Sequence, residues 1–327
     1  MHGTLSRKLF TPAQAKEITA WLLGLHNKAQ GESTNTAGGF LVPDALANAV
    51  AELRTEAGVA RAIMQTVPMS SDVTRIARRV SGSTSYFVDE GAAITESQAS
   101  FDQVTLSTKK IASLVRSSTE LVDDAPAFAN FIATEIVFNL GAKLDETAFA
   151  GDGTSTYKGI LGLKNALLGL DGAVTAPTAN ADTWAELLVA DFTAVIGTLP
   201  TRFHTNARWL MSPIAWSLAC IRLAAATGLP LEQDGQKAFL GYPVVLSSQM
   251  PAGTSTTDYT GLLMLALGDF SKAGMLGVRR DINLFASKGR YLEYDQIAWR
   301  ATARFDSVWH GLGDASNAGA VVGLVGS

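Results

Sequence analysis

The sequence predicts a mixed α+β fold, and three features of its apolar pattern carry that prediction. Residues 63–118 contain strand-like stretches separated by turn residues. An apolar stripe at helical spacing indicates one long helix over residues 126–150. Residues 175–255 alternate between helix and strand patterns, which is typical of an α/β domain. The length of 327 residues fits about two domains.

Composition narrows the function classes. The net charge of −4 argues against a protein that works by neutralising nucleic-acid phosphates. Only 17% of residues are charged, which fits either a subunit that buries surface against neighbours or a weakly charged enzyme. The single cysteine, Cys220, excludes an intramolecular disulfide framework. No apolar run approaches the roughly 18 residues of a membrane span, and we expect no membrane partner.

The N-terminal region predicts an amphipathic helix on a tether. Residues 11–26 begin with a Thr-Pro cap, and a linker rich in glycine and small polar residues follows at 31–39. The apolar side of this helix comprises Ile18, Trp21, Leu22 and Leu25. An isolated helix of this length is marginal in water, so it must pack on its own chain or on a neighbour. A second helix is predicted over residues 43–58.

The β region predicts a projecting hairpin. Strands at 73–80 and 84–88 flank a Ser-Gly-Ser turn, and a longer strand is expected over residues 104–115. The polar and acidic segment 89–102 between them has too few large apolar residues to form a core of its own. A long hairpin that leaves the body is therefore the simplest arrangement.

The long helix is expected to begin at Pro126 after a cap at Asp123 and Asp124. At 1.5 Å per residue it would span roughly 37 Å, long enough to support a whole domain. A glycine-rich loop at 151–155 ends it.

The remaining elements follow from apolar runs and helix stops. Helices are predicted at 182–199 and 213–225, and strands at 207–211, 244–247, 262–267, 275–278, 282–285, 291–294 and 298–305. The C-terminal tail is apolar from Val321 to Val325.

The residues favour no assembled active site. His204 and His310 stand in no metal-binding pattern and are interpreted as structural or surface residues. Cys220 lies in an apolar helix and is expected to be an inert buried thiol. The loop 151–159 follows a helix C-terminus, which is the wrong end of the dipole for a phosphate. We therefore predict neither an enzyme nor a cofactor or metal site, although distant residues can converge in a fold.

Several segments, in this order and spacing, carry a family resemblance. They are GGFLVP at 38–43, LSTKKIASLVRSSTELVDD at 106–124, FAGDG at 149–153, GIL at 159–161, ARWLMSP at 207–213, LGYPVV at 240–245, LGDFS at 267–271 and ATARFD at 301–306. On these segments the chain resembles the major capsid proteins of tailed bacteriophages of the Hong Kong 97 type.

The resemblance implies a capsid fold with named parts. These are an N-terminal arm (1–37), the start of a peripheral domain (38–69), an E-loop hairpin (70–108), the peripheral domain with its spine helix and Gly-rich loop (109–174), an axial domain (175–260), and return strands with a tail (261–327). The implied function is an icosahedral head shell, built from hexamers and pentamers in the host cytoplasm, that encloses double-stranded DNA.

The implied partners are other copies of the chain, portal and scaffold proteins, and DNA without sequence-specific contacts; decoration proteins are left open. Only 37 residues precede GGFLVP, too few for a scaffolding domain, so either a separate scaffold or a processed end is expected. Residues 70–108 contain no lysine, so we expect no covalent cross-link from that loop. The alternatives are an encapsulin-type shell protein and, more distantly, an α/β metabolic enzyme.

Three sets of residues are candidates for contacts between subunits. Arginines of the hairpin (Arg75, Arg78 and Arg79) are expected to meet carboxylates of a neighbour's long helix (Glu135, Asp145 and Glu146). The loop residues Gly151, Asp152 and Gly153 are expected at a contact between capsomers. The arm helix, through Ile18, Trp21, Leu22 and Leu25, is expected to dock on a neighbouring subunit.

Overall fold

The computed structural model describes residues 58–327 except 86, 90, 92, 94, 95, 125 and 234. The predicted arm helix at 11–26, and the helix at 43–58 apart from Gly58, lie outside the described residues. The chain divides into two compact units, residues 1–52 with 120–129 and residues 53–119 with 130–327. The first unit is described only at residues 120–129.

The strands of the described residues are numbered β1–β13 in chain order. They are β1 (Gln65–Pro68), β2 (Val73–Ser81), β3 (Ser100–Ser107), β4 (Lys109–Ser118), β5 (Ala173–Thr175), β6 (Arg208–Met211), β7 (Glu232–Gln233), β8 (Gln236–Phe239), β9 (Tyr242–Leu246), β10 (Leu263–Gly268), β11 (Gly274–Tyr291), β12 (Gln296–Trp309) and β13 (Val321–Val325). They form a seven-stranded sheet ordered β5-β13-β10-β6-β9-β8-β7, a four-stranded sheet ordered β1-β11-β12-β4, and a two-stranded ribbon of β2 and β3.

The α-helices are α1 (Val59–Ile63), α2 (Thr119–Asp124), α3 (Pro126–Ala150), α4 (Leu163–Ala166), α5 (Val189–Thr198), α6 (Pro213–Ala215), α7 (Arg222–Thr227) and α8 (Phe270–Ala273). Short 3₁₀ turns occur at Ser155–Tyr157, Thr201–Asn206 and Leu292–Tyr294, and a π-helical segment at Trp216–Ile221 joins α6 to α7. None of the described helices is long and apolar enough to cross a bilayer.

Strands β10 and β13 of the seven-stranded sheet are deeply buried, whereas its edge strands β5 and β7 are not. The two deeply buried strands are apolar runs, as expected of strands covered on both faces. Trp209 and Phe239 are fully buried beside them, and the Trp209 Nε1–H donates to the Phe239 carbonyl at 2.9 Å. The C-terminal tail, predicted only as apolar, is thus a central strand. The end of the axial domain is predicted at residue 260. Strand β6 lies before that point and β10 after it, yet both belong to this one sheet, so the boundary stays a prediction.

The long helix α3 confirms the helix predicted over residues 126–150. Its C-terminal end packs beside the four-stranded sheet: the Trp309 Nε1–H donates to the Ala148 carbonyl at 2.7 Å. Ile136 and Leu140 are buried, while Val137 between them is exposed, so the helix has one core-facing stripe.

The predicted hairpin is wrong in its turn and in its second strand. The described residues of 84–88 are not in a strand; β2 pairs antiparallel with β3, from Val73↔Ser107 to Ser81↔Ser100. The predicted strand at 104–115 is two strands, because the chain leaves the ribbon at Thr108 and joins β12 of the four-stranded sheet as β4. A local pattern does not show which partner a strand will take.

Two further elements differ from prediction. Helix α5 begins at Val189 rather than at residue 182, because Asp191 caps that point by accepting from the Leu188 N–H at 2.7 Å. The strands predicted at 275–278 and 282–285 are parts of the single strand β11, and the segment predicted as a strand at 291–294 is mostly a 3₁₀ turn. Irregular register along β11 breaks up its apolar pattern.

Candidate assembly surfaces

The β2–β3 ribbon exposes most of its described side chains. In β3 only Val104 and Leu106, both near its C-terminal end, are buried, whereas Phe101 is 69% exposed. Two strands alone cannot build a core, and an isolated hairpin is marginal in water. The ribbon is therefore held at one end and covered by little of its own chain.

A buried carboxylate anchors that end. Asp306 of β12 is only 1% exposed and accepts from the Ser107 N–H at 2.6 Å and from the Ser307 N–H at 3.0 Å. It also pairs with Lys109 Nζ at 2.8 Å. These bonds satisfy the buried charge and fix the point where the chain passes from the ribbon into the four-stranded sheet.

A second, exposed carboxylate lies beside the anchor. Asp72 precedes β2; its Oδ1 accepts from the Thr108 hydroxyl at 3.0 Å and from Arg304 Nη1 at 3.3 Å, and it contacts Arg279. Asp72 therefore bridges the ribbon's base to β11 and β12.

The ribbon arginines differ in their surroundings. Arg78 pairs within its own chain: Nη2 lies 2.8 Å from Asp102 Oδ2 on the opposite strand, and Nη1 donates to the His310 carbonyl. The Gln103 backbone N–H, and then Arg78, hold the pKa of Asp102 below its usual range. Arg75 and Arg79 are exposed on the same strand.

Of the three predicted helix carboxylates, Asp145 is in the wrong place for a contact with a neighbour. It is 1% exposed and accepts from the backbone N–H groups of Gly58, Val59 and Ala60 at 2.6, 3.0 and 2.9 Å. It thus caps the N-terminus of α1, where the helix dipole favours a negative charge. The prediction of an intersubunit contact is wrong for this residue.

Glu146 and Glu135 lie nearer the surface. Glu146 Oε1 accepts from Lys143 Nζ at 2.7 Å and from the Tyr157 hydroxyl at 2.8 Å. Burial disfavours its charge, but these two bonds outweigh that effect and lower its pKa. Glu135 Oε1 accepts from Asn139 Nδ2 at 2.9 Å. The structure therefore joins Glu146 to the glycine-rich loop and leaves Glu135 partly exposed.

The glycine-rich loop is tightly closed at its base and exposed at its tip. Gly162 N donates to Gly151 O at 2.8 Å, and a Cβ on Gly162 would lie 2.6 Å from the Phe149 carbonyl carbon. At the tip, Asp152 and Gly153 are exposed, and Gly153 takes a φ of 75° that favours glycine. The arm residues Ile18, Trp21, Leu22 and Leu25 lie outside the described residues.

A cleft beside the ribbon collects positive charge. Its lining includes Arg78, Arg79, Arg202, Lys272 and His310, together with the carboxylates of Asp102 and Asp314. The buried ring nitrogens of His310 have no hydrogen-bond partner among the described residues. Burial, followed by repulsion from Arg78, lowers the pKa of His310 and so favours its neutral imidazole.

Comparison with known proteins assigns the family. The family model described as "Phage capsid family" matches residues 38–309, which is most of the chain. The chain belongs to the phage capsid family.

A curated relative is also a capsid protein. The major capsid protein of Enterobacteria phage HK97 is 23% identical over 268 residues, an alignment that covers 80% of this chain. The chain spans 64% of the length of that curated relative.

Two solved structures share the fold of this capsid-family chain. One is the capsid of an empty GTA particle, with a TM-score of 0.65, 18% identity, and coverage of 91% of this chain and 100% of that chain. Another is from Mycobacterium phage Bobi, with a TM-score of 0.64, 20% identity, and coverage of 89% and 98%. The predicted α+β capsid fold of the Hong Kong 97 type is confirmed at this level.

Sequence reasoning missed the residues that organise these surfaces. Asp306 carried a signal, since a lone carboxylate directly after the predicted strand 298–305 needs a partner once buried. Asp145 resembled its half-buried neighbour Glu146 in sequence, and only the fold shows that it meets α1, which is 85 residues away in the chain.

Proposed function

We propose that this chain is the major capsid protein of a tailed-phage or GTA-like particle, a structural subunit rather than an enzyme. Membership of the phage capsid family, and the shared fold with capsids of such particles, support this proposal. Copies of the chain form hexamers and pentamers that close an icosahedral shell, and the chain resides in the virion.

The observation that carries self-assembly is the exposed ribbon. It is anchored at one end by the ion pair between buried Asp306 and half-buried Lys109, yet its paired strands expose an aromatic side chain at Phe101. Such a segment gains little stability from its own chain, and burial of its apolar surface against a neighbour would stabilise it.

The finer parts of the fold are proposed on the same basis. Residues 70–108, which contain the ribbon, serve as the E-loop; residues 38–69 and 109–174 as the peripheral domain; residues 175–260 as the axial domain. Residues 261–327 return to the peripheral domain, and residues 1–37 form the arm.

Among the residues predicted to form contacts between subunits, we keep those that the structure leaves at the surface, together with the arm helix. Arg75 and Arg79 face carboxylates such as Glu135 on a neighbour, and the loop at Asp152 and Gly153 meets another capsomer. The arm helix docks on a neighbouring subunit.

The proposed partners beyond the shell are portal and scaffold proteins and packaged double-stranded DNA. A net charge of −4 suits a wall that contains DNA without binding it tightly. Decoration proteins would bind the assembled shell.

Electron microscopy of the purified full-length chain tests the proposal. We expect shells with five- and six-fold capsomers, with a scaffold co-expressed if the chain alone does not close. Small closed shells that carry enzyme cargo would favour the encapsulin alternative. Discrete small oligomers under all these conditions would contradict the proposal.

A further inference from the structure

The cleft beside the β2–β3 ribbon is formed by four parts of the chain. Arg78 and Arg79 of β2 line it together with Arg202 of the 3₁₀ turn that precedes β6. Lys272 of α8 and His310, which directly follows β12, also line it. All of these residues belong to the same compact unit. The cleft has a volume of about 830 Å³, which lies within the usual range of small-molecule sites.

Positive charge exceeds negative charge in this cleft. Three arginines and one lysine line it against two carboxylates, Asp102 and Asp314. Both carboxylates already accept hydrogen bonds from their own chain. A third carboxylate outside the lining, Asp269, lies with its Oδ2 3.6 Å from Lys272 Nζ. The cleft keeps an excess of positive charge even when Asp269 is counted.

Three buried nitrogen atoms at this cleft have no hydrogen-bond partner among the described residues. They are Arg78 Nε and both ring nitrogens of His310. The other two nitrogens of Arg78 are in use, since Nη2 donates to Asp102 and Nη1 to the His310 carbonyl. A buried donor without an acceptor costs stability, so an acceptor that enters the cleft would satisfy Arg78 Nε. A rotation about the Cβ–Cγ bond of His310, which is a soft torsion, would bring a ring N–H to the same acceptor.

The remaining cations of the cleft include two that share one aromatic ring. The Arg202 guanidinium lies 4.7 Å from the centre of the Phe203 ring, and Lys272 Nζ lies 5.8 Å from it. A cation–π contact engages the charge of each side chain but none of its N–H donors. Arg202 and Lys272 therefore keep donors for an anion in the cleft.

A phosphate group has the chemistry that fits these donors. It carries up to two negative charges and presents acceptor oxygens in several directions, and arginine and lysine are its usual partners in proteins. A carboxylate offers one charge and two oxygens in one plane, which suits donors that come from one side rather than from four parts of the chain. A DNA duplex is too wide to enter a cleft of about 830 Å³.

We infer that this cleft binds a small phosphate-bearing anion, either inorganic phosphate or a phosphate monoester. The anion accepts from Arg78 on the ribbon and from Arg202 and Lys272 on the body of the same subunit. It would therefore hold the ribbon at a second point, beyond the anchor at Asp306. The site lies within one subunit, so it goes beyond the proposed self-assembly and does not depend on it.

Calorimetric titration of the purified full-length chain with inorganic phosphate tests the inference. A cleft variant carries Arg202→Gln and Lys272→Gln, both at exposed positions. A matched control carries Lys237→Gln and Arg290→Gln, which remove the same charge at exposed positions outside the cleft. We expect one phosphate per chain and a dissociation constant raised about tenfold or more in the cleft variant, because two charged donors are lost. The control should bind like the original chain, and circular dichroism should show both variants folded.

Nuclear magnetic resonance of the histidine rings gives a second readout that a change in folding alone would not produce. Phosphate in the cleft offsets the repulsion from Arg78, so its addition should raise the pKa of His310 at constant ionic strength. The ring signals of His204, which does not line the cleft, should stay in place.

Several results would overturn the inference. These are the absence of saturable phosphate binding, equal affinity in the cleft variant and the control, or an unchanged His310 pKa. Succinate that binds as tightly as phosphate would assign the cleft to carboxylates instead. A DNA duplex that binds through these residues when free phosphate and a phosphate monoester do not would assign it to the nucleic acid. All of these measurements concern the subunit, so their failure is distinct from a failure to form shells.

Discussion

The seven-stranded sheet and the β2–β3 ribbon are both built of β-strands, but strands β10 and β13 of the first are wholly apolar and those of the second carry many polar and charged residues, and the two differ in what covers them. Every residue of β10 and β13 is buried within the chain. In β3, by contrast, six of eight residues are exposed. The first region has its stabilising contacts inside one subunit, whereas the second is held by Asp306 at its base.

This difference separates folding from assembly. Burial of apolar surface stabilises a domain at about 25 cal/mol per Å², so β10 and β13 hold the subunit together whether or not neighbours are present. Beyond Val104 and Leu106, which are buried in the subunit, the ribbon would gain such contacts only from another chain. Substitutions in the sheet should therefore change subunit stability, and substitutions in the ribbon should change shell formation.

The largest effect on subunit stability is expected at Trp209. It is fully buried, packs edge-to-face on Phe192 at 5.6 Å, and donates a hydrogen bond to Phe239. Trp209→Ala should lower the free energy of unfolding by about 3–5 kcal/mol in urea titrations. Phe101→Ala, on the exposed ribbon, is the matched control and should change it by less than about 0.5 kcal/mol. Equal losses in the two variants would remove the distinction between the regions.

A smaller effect is expected at the anchor between the two regions. Asp306→Asn removes the charge that pairs with Lys109 and weakens the hydrogen bond from the Ser107 N–H. The free energy of unfolding should fall by about 1–3 kcal/mol. Hydrogen exchange should accelerate in β3 more than in β10. Asp102→Asn, which alters an exposed pair on the ribbon, should leave the unfolding midpoint unchanged. An anchor variant with unchanged exchange in β3 would show that the ribbon is held elsewhere.

A pH dependence is expected from His310. Burial and the nearby Arg78 lower its pKa in the folded chain, while the unfolded chain keeps a value of about 6.5. Below that pH the unfolded chain binds the proton more readily, so stability should fall as pH drops through 6.5 towards the lowered pKa. Thermal unfolding between pH 7.5 and 5 should show a shallower decline in His310→Gln. The same slope in both proteins would contradict this assignment.

The smallest expected effect concerns Cys220. Burial raises the pKa of its thiol to about 12, so almost no thiolate is present at neutral pH. A thiol reagent should label the folded chain only as fast as it unfolds, and Cys220→Ala should still form shells. Rapid labelling of the native subunit would show that this part of the core opens readily.

The fold was predictable from sequence where an element's pattern is set by its own residues. The helix at 126–150 and the strand Leu263–Gly268 follow from apolar runs with clear ends. The pairing of β2 with β3, and the change of sheet at Thr108, were not predictable, because both depend on contacts across the chain. The role of Asp145 was hidden for the same reason, since its partners at Gly58 and Val59 are distant in sequence.

Hydrogen–deuterium exchange on the isolated subunit and on assembled shells tests the central claim most directly, because it reports local opening residue by residue. Strand β10 should be strongly protected in both forms. Strands β2 and β3 should exchange readily in the subunit and become protected in the shell. Equal protection of the ribbon in the two forms would contradict the claim that neighbouring subunits cover it.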